Sequence, residues 1–285
     1  MHHSLRGIID FFIVFVVLFA LLFGFLLDST LKTVDYNASS VEIPDSFNGF
    51  KIAQITDLHS TECGENNEKL ITMLGESAPD IIVFTGDMID AKDTDASIVL
   101  HLAEEAVKIA PCYYSPGNHE SSNKALYSTL CDSLRELGVN ILENEAVTIT
   151  VGEESITLIG ILDPAFDKNS SDNKNAEITR DFLKDLVPED SYTVLLAHRP
   201  ELINVYAEAG VDLVLSGHTH GGQIRIPILG GLYANNQGFL PPYDKGLFTQ
   251  SGTTMIVSSG IGDSNFPMRY YNPREITLIK LSTVK

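Results

Sequence analysis

The chain is poor in basic residues. It carries 19 Lys and Arg against 38 Asp and Glu, a formal net charge of -19 over 285 residues. That balance excludes nucleic acid as an expected partner, because binding it relies on Lys and Arg to neutralise phosphates. It does not exclude a small phosphate substrate. Bound dications would reverse the field at one site while the rest of the surface stays negative. Cysteine is scarce as well. Cys63, Cys112 and Cys131 are odd in number and widely spaced, and no Cys-x-x-Cys occurs. They make neither a disulfide framework nor a thiolate zinc site. No internal repeat or low-complexity tract is present. What is there is an ordinary globular composition, 44% hydrophobic and 20% charged. Its length suits one large domain plus an appendage.

The appendage is N-terminal. Phe11 to Leu27 is an uncharged apolar run of 17 residues. As a helix it would span about 26 Å at roughly 1.5 Å per residue. No core helix of a soluble domain needs to be apolar on every face. The run is therefore expected to be a single-pass transmembrane anchor over residues 1–28. A cleaved signal peptide is the alternative; its apolar core would be shorter and followed by a small-x-small site. Arg6 and Lys32 flank the run on opposite sides and barely decide orientation. The reading taken puts the catalytic domain on the extracytoplasmic side. Residues 29–48 are polar, with one Pro and little periodicity, and read as a linker. The catalytic domain is expected over 49–285.

Within that domain, strands are predicted at 51–56, 80–85 and 111–115, alternating with helices at 65–78, 94–109 and 122–137. Ile81-Ile82-Val83-Phe84 is a continuous apolar run, as expected for a strand covered on both faces. The rhythm then changes. Segments 146–151 and 155–161, joined by Gly152-Glu153-Glu154, read as a hairpin. A helix near 180–186 and strands at 192–197, 211–215, 255–258 and 275–281 follow. The expected fold is α/β, a two-sheet α/β sandwich with flanking helices behind an N-terminal transmembrane helix.

Five short blocks stand out: Asp57-Leu58-His59, Gly86-Asp87, Gly117-Asn118-His119-Glu120, His198 and Gly217-His218-Thr219-His220. Each alone is weak, since Gly-Asp and Gly-Asn are common turn dipeptides. Together they place Asp57, His59, Asp87, Asn118, His198, His218 and His220 just past predicted strands. That is where an open α/β sheet gathers its ligand site. Oxygen and imidazole donors in this number suit two divalent metals, and two adjacent metals suit phosphoryl-ester hydrolysis.

The blocks resemble the motif series of the calcineurin-like metallophosphoesterase superfamily: Asp-x-His, Gly-Asp, Gly-Asn-His-(Asp/Glu), a lone His and Gly-His-x-His. Every element is present in that order from Asp57 to His220, and the resemblance extends from Phe50 to the C-terminus. Gly-His-Thr-His-Gly-Gly-Gln and the Tyr243 to Leu247 segment look like the membrane-anchored or exported bacterial branch. That branch is similar to phosphodiesterases and to UDP-2,3-diacylglucosamine hydrolases. The resemblance implies that Asp57, His59 and His220 hold one metal, that Asn118, His198 and His218 hold the other, and that Asp87 bridges them. The metals would be Mn, Zn, Fe or Co. It implies attack by a metal-bridging hydroxide on a phosphodiester or pyrophosphate, on a lipid-linked or nucleotide-sugar substrate. A phosphomonoesterase and a non-catalytic, membrane-tethered metal-binding protein are the alternatives. His119 would protonate the leaving oxygen, oriented by Glu120 or Asp57.

Two further features bear on substrate. Arg225 and Arg269 are candidates to contact a substrate phosphate, since guanidinium pairs well with phosphate oxygens. Gly230 to Gly246 is long and rich in Gly and Asn, and contains Phe239-Leu240-Pro241-Pro242-Tyr243. It reads either as a lid or membrane-facing lip, or as a packed surface loop.

Overall fold

A computed structural model of the chain describes residues 7, 9–12, 14–16, 19, 30–263 and 269–284. Its architecture follows from strands whose two faces are both covered. All five residues of β3 (Ile81–Thr85) are buried. Ile81 and Val83 pack between two sheets, whereas Ile82 and Phe84 pack under helices. The alternation is the period of two expected of a strand, and it explains why this segment is apolar throughout.

The first sheet has six strands in the order β1-β16-β2-β3-β4-β5. They are β1 (Leu31–Ser40), β2 (Lys51–Ile55), β3, β4 (Cys112–Ser115), β5 (Asn140–Ile141) and β16 (Arg274–Thr283). β2 to β5 run parallel, and β16 lies antiparallel to β2. The second sheet also has six strands, in the order β14-β15-β9-β8-β7-β6. They are β6 (Glu145–Val151), β7 (Glu154–Gly160), β8 (Thr193–Leu196), β9 (Leu213–Ser216), β14 (Gly246–Gln250) and β15 (Thr253–Val257). β7, β8, β9 and β15 are parallel, and the hairpins β6–β7 and β14–β15 close the edges. Between β9 and β14 lie two small hairpins, β10 (Arg225–Ile226) with β11 (Gly230–Gly231), and β12 (Tyr233–Ala234) with β13 (Gly238–Phe239).

Ile52, Ile81 and Val83 from the first sheet meet Leu158, Val194, Leu196 and Leu215 from the second. Outside the first sheet pack α1 (Glu68–Ser77), α2 (Ser97–Ala106) and α4 (Lys124–Leu137), through Leu70, Leu74, Leu102, Leu130 and Leu134. The short α3 (Asn118–Ser122) precedes α4. Outside the second sheet lie α5 (Asn175–Leu183) and α6 (Ile203–Glu208), with Ile203 and Tyr206 against Leu195 and Val214. The expected two-sheet sandwich is therefore the observed one. Cys63, Cys112 and Cys131 are buried and free.

One expectation is corrected. Leu31–Ser40, read as part of a polar linker, is a ten-residue edge strand parallel to β16, in register from Leu31 opposite Arg274 to Ser40 opposite Thr283. Its side chains are mostly half-buried or exposed, with Ala38 buried. An edge strand can therefore keep the composition of a tether. The expected anchor over 1–28 lies for the most part outside the described residues. Among those described, no helix is long and apolar enough to cross a membrane.

The edge position makes a prediction. A chain starting at Gly49 would lack β1 and leave the full length of β16 unpaired on one side, a template for aggregation. Its urea midpoint should fall below that of a chain starting at Thr30, with more light scattering on refolding. Equal midpoints would show that β1 adds nothing to the fold.

Candidate metal centre

The five blocks lie on loops that leave parallel strands of both sheets. Asp57 and His59 follow β2, Asp87 follows β3, and Asn118 opens α3 after β4. His198 follows β8, and His218 and His220 follow β9. The loops turn through backbone that L-residues visit rarely. Asp57, His59, Asp87, His218 and His220 have φ of 51°, 45°, 52°, 69° and 48°. Such strain gathers at functional sites and persists where the surroundings hold it in place. Two glycines make the close approach possible: a Cβ on Gly117 would run into the Asp87 carboxylate, and one on Gly217 into that of Asp57.

Two groups of donors result. Asp57, His59 and His220 have ligand atoms within 4.8 Å of one another, and so do Asp87, His198 and His218. Asp87 faces both groups, with Oδ2 3.0 Å from His198 Nε2 and 3.8 Å from His59 Nε2. His59 Nε2 and His220 Nε2 are 3.2 Å apart, and His220 Nε2 is 3.4 Å from Asp57 Oδ1. Asn118 lies beside Asp87, whose Oδ1 accepts the next backbone N–H, that of His119, at 2.8 Å. Asn118 Oδ1 is buried with no hydrogen-bond partner among the described residues. Converging buried acceptors and an orphaned amide oxygen fit cations, because buried polar atoms otherwise find partners.

The ring nitrogens are sorted by their other contacts. A backbone carbonyl can only accept, so His198 Nδ1 donates to Thr85 O at 2.8 Å and leaves Nε2 as the atom that faces the other donors and could bind a cation. Carboxylates set the protonation of the metal-free site. Burial works against charge on His198, yet the facing Asp87 and Asp57 push it up to about 10. Burial likewise opposes charge on His59, and Asp90 and Asp87 raise it. Burial would push Asp87 up, but His198 holds it well below the ordinary carboxylate value. His218 and His220 are driven well below theirs, first by burial, and are neutral.

His119 sits beside the two groups, its Nε2 4.0 Å from Asp87 Oδ2. The Ala91 N–H donates to His119 Nδ1 at 3.1 Å, so the neutral ring carries its proton on Nε2. Asp90 Oδ2 lies 3.4 Å from the same Nδ1 and 3.6 Å from His59 Nδ1. Sequence reasoning missed Asp90. Its one signal was its place three residues after Asp87 in the same loop. Neither residue expected to orient His119 touches its ring. Glu120 is fully buried and accepts from the backbone N–H of Asp87 (2.9 Å), Met88 (2.7 Å) and Gly117 (2.8 Å), tying the β3 and β4 loops together. Asp57 accepts the His218 N–H at 3.0 and 3.1 Å.

Both candidate arginines are engaged. Arg225 Nη1 donates to Gly221 O and Asp244 Oδ2, each at 2.8 Å. Arg269 is 1% exposed, with Nη2 2.5 Å from Gly262 O and 3.3 Å from His220 Nδ1. It buttresses His220 from behind.

A two-sheet sandwich whose strand ends converge on two carboxylate–imidazole groups defines a metal-dependent hydrolase. A calcineurin-like phosphoesterase model matches residues 50–222, and the chain belongs to that family. It is thus a phosphoester hydrolase of a family that uses two divalent metal ions. It is similar to the uncharacterized metallophosphoesterase YkuE of Bacillus subtilis, 32% identical over 263 residues, covering 89% of this chain and 86% of that one. It is also similar to the uncharacterized metallophosphoesterase Cj0846 of Campylobacter jejuni, 31% identical, covering 91% of this chain and 66% of that one. A transmembrane protein with a metallophosphoesterase domain from Danio rerio is 28% identical over 270 residues, 88% of this chain and 57% of that one. Among solved structures, a dimetal phosphatase from Danio rerio aligns with a TM-score of 0.45 at 13% identity, covering 75% of this chain and 88% of that one.

Metal uptake by the metal-free protein should release protons at pH 7 to 8. His198 holds its proton up to about 10 when only carboxylates face it, and a dication needs that lone pair. Apparent affinity should therefore rise with pH through this range. Titration calorimetry with Mn²⁺ in buffers of different ionisation enthalpy reads the release directly. A buffer-independent enthalpy would contradict the protonated state.

Proposed function

We propose that this chain hydrolyses a phosphodiester or pyrophosphate bond at a pair of divalent metals. Asp57, His59 and His220 hold one metal in this reading, and Asn118, His198 and His218 hold the other, with Asp87 between them. The observation that carries the reading is the convergence of Asp57, His59 and His220, and of Asp87, His198 and His218, from both sheets into two groups, each within 4.8 Å, with Asp87 also facing His59 and the orphaned Asn118 Oδ1 buried on the same loop as His119. When bound, the metal pair supplies positive charge to the phosphoryl oxygens and a water acidic enough to ionise near neutral pH.

The protein's own groups do the rest. His119 presents an Nε2–H beside the metal ligands, held by the Ala91 N–H, and can donate to the leaving oxygen. Asp87 accepts the His119 N–H and so fixes that residue against the site. Phosphomonoester hydrolysis is the competing reading, and turnover of mono- and diaryl phosphates separates the two.

An apolar substituent on the substrate is the second part of the proposal, and a cavity supports it. About 510 Å³ lies beside His218 and His220, walled by Ile224, Leu232, Tyr233 and Phe239. Phe239 is 77% exposed at its rim, next to Leu240 at 55%. Exposed apolar side chains at a pocket mouth mark contact with a ligand or a membrane. A lipid-linked phosphoester at a membrane surface suits these features, with residues 1–28 as the anchor and the catalytic domain extracytoplasmic. A nucleotide sugar bearing an apolar group is the other substrate class proposed for the same pocket. Arg225 at the base of the hairpins is the proposed phosphate contact. Arg269, being buried, is given the supporting role behind His220.

Hydrolysis of bis-p-nitrophenyl phosphate should need added Mn²⁺ or Zn²⁺ and should vanish in Asp87→Asn. His119→Asn should retain metal, measured by elemental analysis, and lose about 10²- to 10⁴-fold in turnover. An unchanged rate would remove His119 from the mechanism. Replacing Phe239 and Leu240 by Ser should raise KM for an acyl-chain phosphodiester in vesicles and leave bis-p-nitrophenyl phosphate unaffected. An equal change on both substrates would reject the lip.

A further inference from the structure

The turn of the β12–β13 hairpin places Asn236, at φ 61°, against the second group of donors. Its Oδ1 lies 3.1 Å from His218 Nε2 and 3.1 Å from Arg199 Nη1, and its Nδ2 donates to Asp172 Oδ1 at 2.7 Å. The orientation of the amide is fixed by chemistry. A guanidinium only donates and a carboxylate only accepts, so the oxygen faces Arg199 and the nitrogen faces Asp172. An amide oxygen can only accept, so His218 must carry its proton on Nε2 and present a lone pair on Nδ1. Arg199 is itself buried and paired with Asp163 through Nε at 2.7 Å and Nη2 at 3.1 Å.

We propose that Asn236 is a positioning residue that sets the tautomer of His218 and thereby couples the β12–β13 hairpin to the metal held by Asp87, Asn118, His198 and His218. The inference rests on the dinuclear reading above. The contrast with His198 carries it. His198 has its spare nitrogen fixed by Thr85 O, a backbone carbonyl of the sheet, so its geometry comes with the fold. His218 takes the equivalent restraint from a side chain on a two-residue-strand hairpin whose neighbours Asn235 and Phe239 line the apolar cavity. Groups that orient a metal-binding imidazole typically govern affinity about 10- to 100-fold. Because coupling is reciprocal, metal bound at this site also holds the hairpin against the cavity. Anything that lifts the hairpin loosens that metal and leaves its neighbour in place.

The test uses full-length protein titrated with Mn²⁺ by calorimetry. Wild type should bind two equivalents. Asn236→Ala should weaken one of them by about 10- to 100-fold and leave the other within twofold. Asn236→Asp combined with Asp172→Asn exchanges donor and acceptor across that contact and keeps an acceptor toward His218 and Arg199, so it should restore the lost affinity. The chain has no Trp, so Tyr233→Trp gives a single reporter on the hairpin. Its emission should respond to the second equivalent and lose that response when Asn236→Ala is added. Wild-type affinities in Asn236→Ala, or loss in both sites together, would overturn the proposal. Failure of wild type to bind two equivalents would instead sink the dinuclear reading. Far-UV circular dichroism separates these outcomes from unfolding.

Discussion

Two buried carboxylates govern this molecule. Asp57 is fully buried and Asp87 is 2% exposed, and both face the same space. Their ion-pair partners among the described residues are histidines. Burying an ion costs several kcal/mol unless it is paired well, so the site has two ways to be stable. Without metal, His198 and His59 retain protons and offset the carboxylates. With metal, dications replace those protons. In the first state His198 stabilises the fold fully below the unfolded histidine value of about 6.5. That contribution is lost as pH rises through about 10. The histidines are thus placeholders for positive charge as well as the proposed ligands.

Everything around the carboxylates serves to hold them close. Three strands of one sheet and two of the other end at the same place, so residues far apart in sequence arrive on short, stiff loops. The loops cannot relax, because Gly117 and Gly217 leave no space between backbone and carboxylate. Glu120 closes the assembly by collecting the N–H groups of two loops on one carboxylate. Burial pushes its proton affinity up, and the bonds from Gly117 and Asp87 act the other way. A charge-assisted contact of this kind fixes geometry more firmly than neutral hydrogen bonds do. Left-handed backbone at five of the seven expected ligands is the strain that this rigidity sustains.

What could be read in the sequence follows the same logic. Parallel strands buried on both faces are apolar throughout, so β3, β8 and β9 announced themselves, and the donors just beyond them marked the site. The signal failed where burial is partial or where a contact is local. β1 pairs with β16 along its whole length, yet Asp35, Asn37, Ser39 and Ser40 give it the composition of a tether. Hydrogen-bond pairing at an edge asks little of side chains. Asp90 is placed by a local loop, its N–H donating to Asp93 Oδ2 at 2.7 Å and its Oδ1 accepting the Lys92 N–H at 3.0 Å, a conformation no sequence pattern announces. Arg269 reads in the sequence as a candidate phosphate contact because no pattern of neighbours betrays its burial against His220. The helix read at 180–186 runs from Asn175 to Leu183, and its buried first residue accepts a hydrogen bond from Ser170 at Oδ1.

The net charge bears on how a phosphoester reaches this centre. At physiological salt the field of an exposed charge fades within about 8 Å, so a surface of -19 acts as a short-range repulsive skin rather than a distant barrier. In the proposed site, two dications on two carboxylates and neutral imidazoles would leave the centre positive, buried in its own cleft. A free anionic substrate gains little steering from such an arrangement, in contrast to enzymes whose clefts project one sign of charge outward. Capture must then come from contacts made once the substrate is near. The apolar cavity beside His218 and His220 is the feature of the cleft that offers such contacts without regard to charge. On the function proposed above, that cavity would hold a phosphoester with an apolar group while its phosphate sits at the metals, and the acidic surface would serve to reject anions that lack the group.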